Sequence, residues 1–285
     1  MLAIDIPGIA AFQMDIHPSG DIYISDSIRR TGRWESFETQ VFARLLQADV
    51  EFFDIGANIG WYSLLAGRRL ESRGIVHAFE PVPENVALLA RNVAANALNN
   101  VRVNPYALGR TNGTTPIFLS ADNKGDHRAY PSSEEGRQSI AAGLRRFDAY
   151  FDRSTRKPLV VKMDTQGFEY DVLLGMGDVL ERHPAEVAMV IEFWPHGLAQ
   201  NGAAIESLMG LLAGFQFTPW VLWEGEARIC PVSWADLAAA ARTTLAPATL
   251  GYVNLLLLRD CDGLGCLLDG LYSQSPSRLV PRTVT

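Results

Sequence analysis

Four carboxylates in this chain close apolar runs: Asp54 after "VEFF", Glu80 after "GIVHAF", Asp164 after "LVVKM", and Glu192 within "VAMVIEF". An acid at the carboxyl end of a buried strand faces the crevice in which open α/β sheets bind their ligands. Asp54 is followed by Gly56 and Gly60 and then by the apolar helical pattern "WYSLLA". Glycines at a strand-to-helix turn let backbone approach a ligand closely, and the helix N-terminus offers free N–H groups. The spacing is Gly-x-x-x-Gly, which disfavours a dinucleotide-binding dehydrogenase with its GxGxxG. An acid beside the loop would also repel a phosphate, so Asp54 suits a cationic aminoacyl sulfonium better than a pyrophosphate. Glu80 follows 80 − 54 = 26 residues later and is placed to accept both hydroxyls of a ribose.

A second constellation lies in "KMDTQGFEY", residues 162 to 170. Asp164 reads either as an active-site carboxylate at the sheet mouth or as a cap on the helix beginning near Glu169. Lys162, on the same strand face as Asp164, would pair with it, contact a substrate, or neutralise a buried carboxylate. Asp164 and Glu192 come from adjacent strand ends under the expected strand order, and two carboxylates there could share Mg²⁺ or Ca²⁺, although no third ligand is evident. Gln166 is placed for a polar substrate contact, whereas Gly167 and Glu169 read as turn and helix-start chemistry. His127 in "DNKGDHRAY" has an acid beside it and reads as a general base or as part of a solvated loop. His196, just after Glu192, is a candidate substrate contact. Trp34 and Glu35 would close over a cofactor, or form a staple with a capping box in "SFETQ".

The elements that must position these groups follow from periodicity. Strand-like runs at 50–55, 74–79, 101–106, 159–164 and 187–193 are continuously apolar and alternate with helical patterns at 37–47 and 83–98. That is the pattern of a parallel sheet covered on both faces. "FQFTPWVLWEG" and "LGYVNLLLLRD" read as a closing antiparallel hairpin at one sheet edge. Between the third and fourth strands a connection of about 107–157 holds two short strand-like pieces, and insertions of that length are usually functional or disordered. The expected organisation is an N-terminal extension and cap helix at 1–48, a main domain at 49–260, and a C-terminal tail at 261–285 that ends in a fraying stretch.

A net charge of −7 argues against nucleic acid as the main partner. Three cysteines without metal or disulfide spacing fit a reducing compartment, hence the cytoplasm. No run is long and apolar enough to span a bilayer. Oligomeric state is not legible from these patterns.

Taken in order and spacing, "FFDIGANIGWYSLLA", "VHAFEPVPENVALLARNVAAN", "VRVNPYALG" and "VVKMDTQGFEYDVLLG" resemble the S-adenosylmethionine-dependent methyltransferases of the FkbM family, over about residues 33–194. The resemblance implies a Rossmann-like class I methyltransferase fold: an α/β structure with a seven-stranded, mostly parallel sheet, an antiparallel last strand, and helices on both faces. It implies O-methylation of a hydroxyl on a sugar, glycan or polyketide-type metabolite. It also implies that Asp54, Gly56, Asn58 and Gly60 line the methionine moiety, that Glu80 holds the ribose, that Tyr106 and Ala107 lie near the adenine, and that Pro81 is among the cofactor-binding residues. Family members commonly read Lys-Ile-Asp-Val-Glu-Gly at the fourth strand, and this chain has Gln166 in place of that Glu. Methyl transfer to an alcohol needs alignment and removal of its proton, the work expected of Asp164, His127 or Lys162. The competing readings are a nucleic-acid N-methyltransferase, suggested by "NPY" at 104–106 but at the wrong strand, and a non-catalytic cofactor-binding module.

Overall fold

The computed structural model describes residues 1–131, 136–273 and 281–283. The stretch expected to fray falls at 274–280 and 284–285, outside the described residues. Seven strands form the body of the sheet: β1 (Glu51–Ile55), β2 (Val76–Phe79), β3 (Val101–Asn104), β4 (Leu159–Met163), β5 (Val187–Phe193), β6 (Thr218–Trp223) and β7 (Gly251–Arg259). Their spatial order is β3-β2-β1-β4-β5-β7-β6. Strands β1 to β5 are parallel, and β7 runs antiparallel to both β5 and β6.

The order departs from the sequence expectation in one respect. The β6–β7 pair is antiparallel, but it is not a hairpin at the edge, because β7 inserts between β5 and β6. Leu255, Leu256 and Leu257 are each completely buried, so this strand needs cover on both faces and a neighbour on both sides. The edge beyond β6 is taken by Arg228–Pro231, and Arg282–Thr283 pairs with the start of β7. The sheet therefore has nine strands rather than seven.

Consecutive residues of the central strands serve opposite faces. Val160, Val190 and Leu256 pack with the helices α1 (Ser36–Leu45) and α2 (Trp61–Leu70), whereas Val161, Ile191 and Leu257 pack on the other side. The flanking segments share that first core. Ile4, Phe12 and Met14 of an N-terminal hairpin, and Leu264 and Leu268 after β7, are buried with Phe52 and Leu64. Between β3 and β4, strands Ala107–Leu108, Gly113–Phe118 and Ser139–Arg145 make a separate small sheet. The polar segment that follows Phe118 turns back over the strand ends, and a further helix, α3 (Pro83–Ala95), flanks it.

Candidate active site

The carboxyl ends of β1, β2, β4 and β5 open into a cavity of about 230 Å³. Its floor is the turn after β1. Asn58 takes a left-handed conformation (φ 49°), which points its backbone N–H at Glu80 Oε2 at 2.9 Å. Glu80 Oε1 accepts the Val82 N–H at 2.9 Å. Glu80 also lines the cavity. Burial pushes Glu80 up to about 7, against the opposing pull of these two donors and of the Asn85 side chain. Asp54 accepts the Ser63 hydroxyl at 2.6 Å, and burial pushes it up to about 6.

The two loop glycines serve protein packing first. At Gly56 (φ 83°) a Cβ would collide with the Asp164 carbonyl oxygen, and at Gly60 (φ 98°) with the Leu89 side chain. Gly56 therefore lets the β1 turn press on the exit of β4, where the Asp164 N–H also donates to the Ile55 carbonyl at 3.0 Å. Gly60 is not in the cavity lining, and neither is Tyr106, whose hydroxyl bonds Asn104 Oδ1 at 3.1 Å beneath the Arg145 guanidinium. Asp54, Gly56, Asn58, Glu80, Pro81 and Ala107 do line it.

The mouth after β4 is assembled from side chains. Lys162 Nζ donates to Asp164 Oδ2 at 3.1 Å, and Gln166 Nε2 donates to Asp164 Oδ1 at 2.7 Å and to Glu192 Oε2 at 3.3 Å. Gln166 adopts φ 54°, a conformation that costs a non-glycine residue about 1 kcal/mol or more, and the Tyr130 hydroxyl pins it by donating to its carbonyl. Glu169 accepts from Thr165 N–H, the Thr165 hydroxyl and Gly167 N–H, so this acid, rather than Asp164, holds the turn that starts the next helix. Asp164 keeps a third of its side chain exposed to the cleft.

Two buried acids complete the surroundings of Lys162. Glu38, on α1, comes within 3.9 Å of the ammonium through Oε1, which has no hydrogen-bond partner, while Asn254 Nδ2 donates to its other oxygen. Glu35, in a left-handed conformation just before α1, accepts the Tyr62 hydroxyl at 2.9 Å, and the Tyr62 ring lies under Lys162 Nζ at 5.1 Å. Burial, with Glu35 adding, pushes Glu38 up to about 8. Burial also raises Glu192 well above the carboxylate range, helped by Asp164 and Glu169. For Lys162 burial pulls downward, but Asp164, Glu38, Glu35 and Asp54 outweigh it and its pKa is raised. The lysine is thus a fixed cation among acids that share few negative charges.

The donor set at Asp164 and Glu192 does not fit a divalent cation. An ammonium and an amide N–H already hold these oxygens, and among the described residues no group of three or more His, Cys, Asp or Glu is arranged to hold a metal.

His127 lines the cavity, but its Nδ1 accepts the Ser120 N–H at 3.0 Å, which leaves the proton on Nε2. Burial, with Lys124 and Arg137 adding, lowers it to about 4. The imidazole is placed as a neutral donor rather than as a base. His196 lies outside the lining, bonded through Nδ1 to the Pro247 carbonyl. No capping box forms at "SFETQ": Ser36 is already helical, and the Phe37 N–H is taken by Glu224 Oε1 at 3.0 Å. Trp34 and Glu35 both line the cleft, opposite Asn123 to Gly125 of the insert, which Asn58 Nδ2 holds through the Lys124 carbonyl at 2.8 Å.

Sequence reasoning missed Glu38, Tyr62 and Asn254. A signal for the first was present, since Glu38 falls at the helical spacing of buried Val41, Phe42 and Leu45.

The strand order with its reversed β7, the glycine turn after β1 and the acid closing β2 define an α/β enzyme of the class I methyltransferase type. The model of the methyltransferase FkbM domain matches residues 54–217, more than half of the chain, and the chain belongs to this family of S-adenosylmethionine-dependent methyltransferases. Among solved structures it is similar to an FkbM methyltransferase from Methylobacillus flagellatus KT, at 15% identity over 74% of this chain and 44% of that one, with TM-score 0.41. The chain thus spans less than half the length of that protein. Similar too are a SAM-dependent methyltransferase from Aquifex aeolicus (12% identity, 82% and 97% covered, TM-score 0.41) and an rRNA methylase from Streptococcus thermophilus (10% identity, 80% and 96% covered, TM-score 0.40). No curated protein matches. Among the described residues no helix is long and apolar enough to cross a membrane.

Proposed function

We propose that the chain transfers a methyl group from S-adenosylmethionine to a hydroxyl of a small-molecule or glycan acceptor, of the sugar or polyketide type. The observation that carries this reading is the hydrogen-bonded set Lys162, Asp164, Gln166 and Glu192 at the mouth of the cleft, with Asp164 its most open carboxylate.

The donor side fits the cofactor. Glu80, buried and lining the cavity, suits a vicinal diol, while Asp54, Gly56 and Asn58 would surround the aminoacyl end, and Pro81 and Ala107 the nucleoside. When bound, S-adenosylmethionine supplies a methyl group on a cationic sulfur. Asp164 would accept the proton of the acceptor hydroxyl, leaving the oxygen of that hydroxyl to receive the methyl group. Lys162 and Gln166 hold both carboxylate oxygens in place, which keeps the base aligned for in-line displacement. Glu192, held protonated by burial, orients the acceptor through hydrogen bonds, and His127 offers its Nε2 proton to the same cavity.

Nucleic acid is a poor fit to a chain of net charge −7. Three free thiols, Cys230, Cys261 and Cys266, suit the cytoplasm, where we place the chain.

The test is incubation with methyl-labelled donor and panels of sugars, glycans and hydroxylated metabolites, followed by mass spectrometry. The expected product carries one label on oxygen. Label found on a nucleic-acid nitrogen, or on no hydroxylated acceptor, would overturn the reading.

A further inference from the structure

Behind the methyl-donor cleft lies a second cavity of about 380 Å³, between the N-terminal hairpin, α1 and α2. Its lining includes three arginines, Arg33, Arg44 and Arg69, and no carboxylate. In a chain of net charge −7 such a trio stands out, and among the described residues none of the three has an ion-pair partner. Arg44 donates one nitrogen to the Asp269 carbonyl at 2.7 Å, and Arg69 one to the Gly8 carbonyl at 3.1 Å. Arg69 Nε has no hydrogen-bond partner, and the Arg33 guanidinium has none among the described residues. A guanidinium is a planar fork that matches the paired oxygens of a carboxylate, phosphate or sulfate.

The cavity is also coupled to the active site by position. Trp34 and Trp61 line both spaces. Their wall is tied together by Thr39, whose hydroxyl accepts from Trp61 Nε1 at 2.9 Å and donates to the Trp34 carbonyl at 2.8 Å.

We propose that this second cavity is an oxyanion-binding site, in which Arg33, Arg44 and Arg69 hold a phosphate, sulfate or carboxylate group across the Trp34–Trp61 wall from the donor cleft. The assignment does not depend on which atom of the acceptor is methylated. The oxyanion has two possible sources, a charged group of the acceptor itself or a separate small anion, and the chemistry that recognises it is the same.

The test uses the full chain with inorganic phosphate and with sulfate as probes, against chloride at matched ionic strength, read by tryptophan fluorescence and by melting temperature. A saturable response to phosphate or sulfate is expected, weakened at least tenfold by Arg33→Ser and by Arg69→Gln, while S-adenosylhomocysteine affinity stays within twofold in both variants. A response that merely follows ionic strength, or a saturable one that survives both substitutions unchanged, would overturn the proposal. In turnover, phosphate that competes with the acceptor assigns the oxyanion to the acceptor, and phosphate that binds without competing assigns it to a separate anion.

Discussion

At Glu80 the two carboxylate oxygens meet backbone N–H groups, from Asn58 and Val82, whereas at Asp164 they meet side chains, the Lys162 ammonium and the Gln166 amide. Both acids close parallel strands and face one cavity, yet they differ in what a substitution can alter. Backbone donors are fixed by the turn after β1 and by the glycine that lets it press on β4, so the Glu80 half depends on its neighbours' identity chiefly through the Asn85 side chain. Side-chain donors can be exchanged one residue at a time, so under the proposed function the Asp164 half is where acceptor choice would change without disturbing the donor. Gln166, standing where family members commonly have Glu, is such an exchange: an amide donates to Asp164 and Glu192 together, which a carboxylate could not do.

The contrast breaks most visibly at Asp164. Asp164→Asn is expected to lower kcat by about a thousandfold, the scale of a lost general base, and to lower the melting temperature as well, because the new amide NH2 faces a donor at Lys162 or Gln166. Gln166→Glu replaces two donated hydrogen bonds with a further acid among buried acids, and is expected to cost about 1–3 kcal/mol of stability, seen as a lower denaturation midpoint. The loss should be larger at pH 8 than at pH 5.5, because the added carboxylate is ionised at the higher pH.

A smaller effect distinguishes the Glu80 half. Glu80 titrates near 7 without ligand, and a diol donating to it favours the anion, so affinity for S-adenosylhomocysteine should fall by about tenfold per unit as pH drops below 7. Calorimetric titration across pH 5.5–8 checks this, and Glu80→Gln should flatten the curve. The smallest expected effect concerns unliganded stability. Glu38, Glu169 and Glu80 are raised to about 8, 7 and 7, so the folded state binds more protons than the unfolded one above the ordinary carboxylate range. Their contribution is fully present below the unfolded pKa and is lost as pH rises through these values. The melting temperature should therefore decline from pH 6 to pH 8.5, and Glu38→Gln should reduce the decline by on the order of 2 °C.

The same division governs what could be read from the chain alone. β1, β2, β4 and β5 were legible because strands buried on both faces are continuously apolar, and Asp54, Glu80 and Asp164 stood out as acids ending such runs. The place of β7 was not, since sequence adjacency favours a hairpin while three buried leucines demand an interior strand. At the active site, local features were legible and long-range ones were not. The Lys162–Asp164 pair lies two residues apart on one strand, but Asn254 reaches Glu38 across 216 positions. Residue type alone also could not give direction: Gly60 and Tyr106 stand at the expected places in the chain and point into packing, and a histidine beside an acid in the insert spends its lone pair on the Ser120 N–H.

The independence of the two halves is tested most directly by measuring S-adenosylhomocysteine affinity for the wild type, Glu80→Ala and Asp164→Asn side by side. Asp164→Asn is expected to bind within about twofold of the wild type, and Glu80→Ala to lose about a hundredfold, the scale of two hydrogen bonds to a buried charge. Comparable losses in both variants would contradict the separation of donor binding from acceptor chemistry.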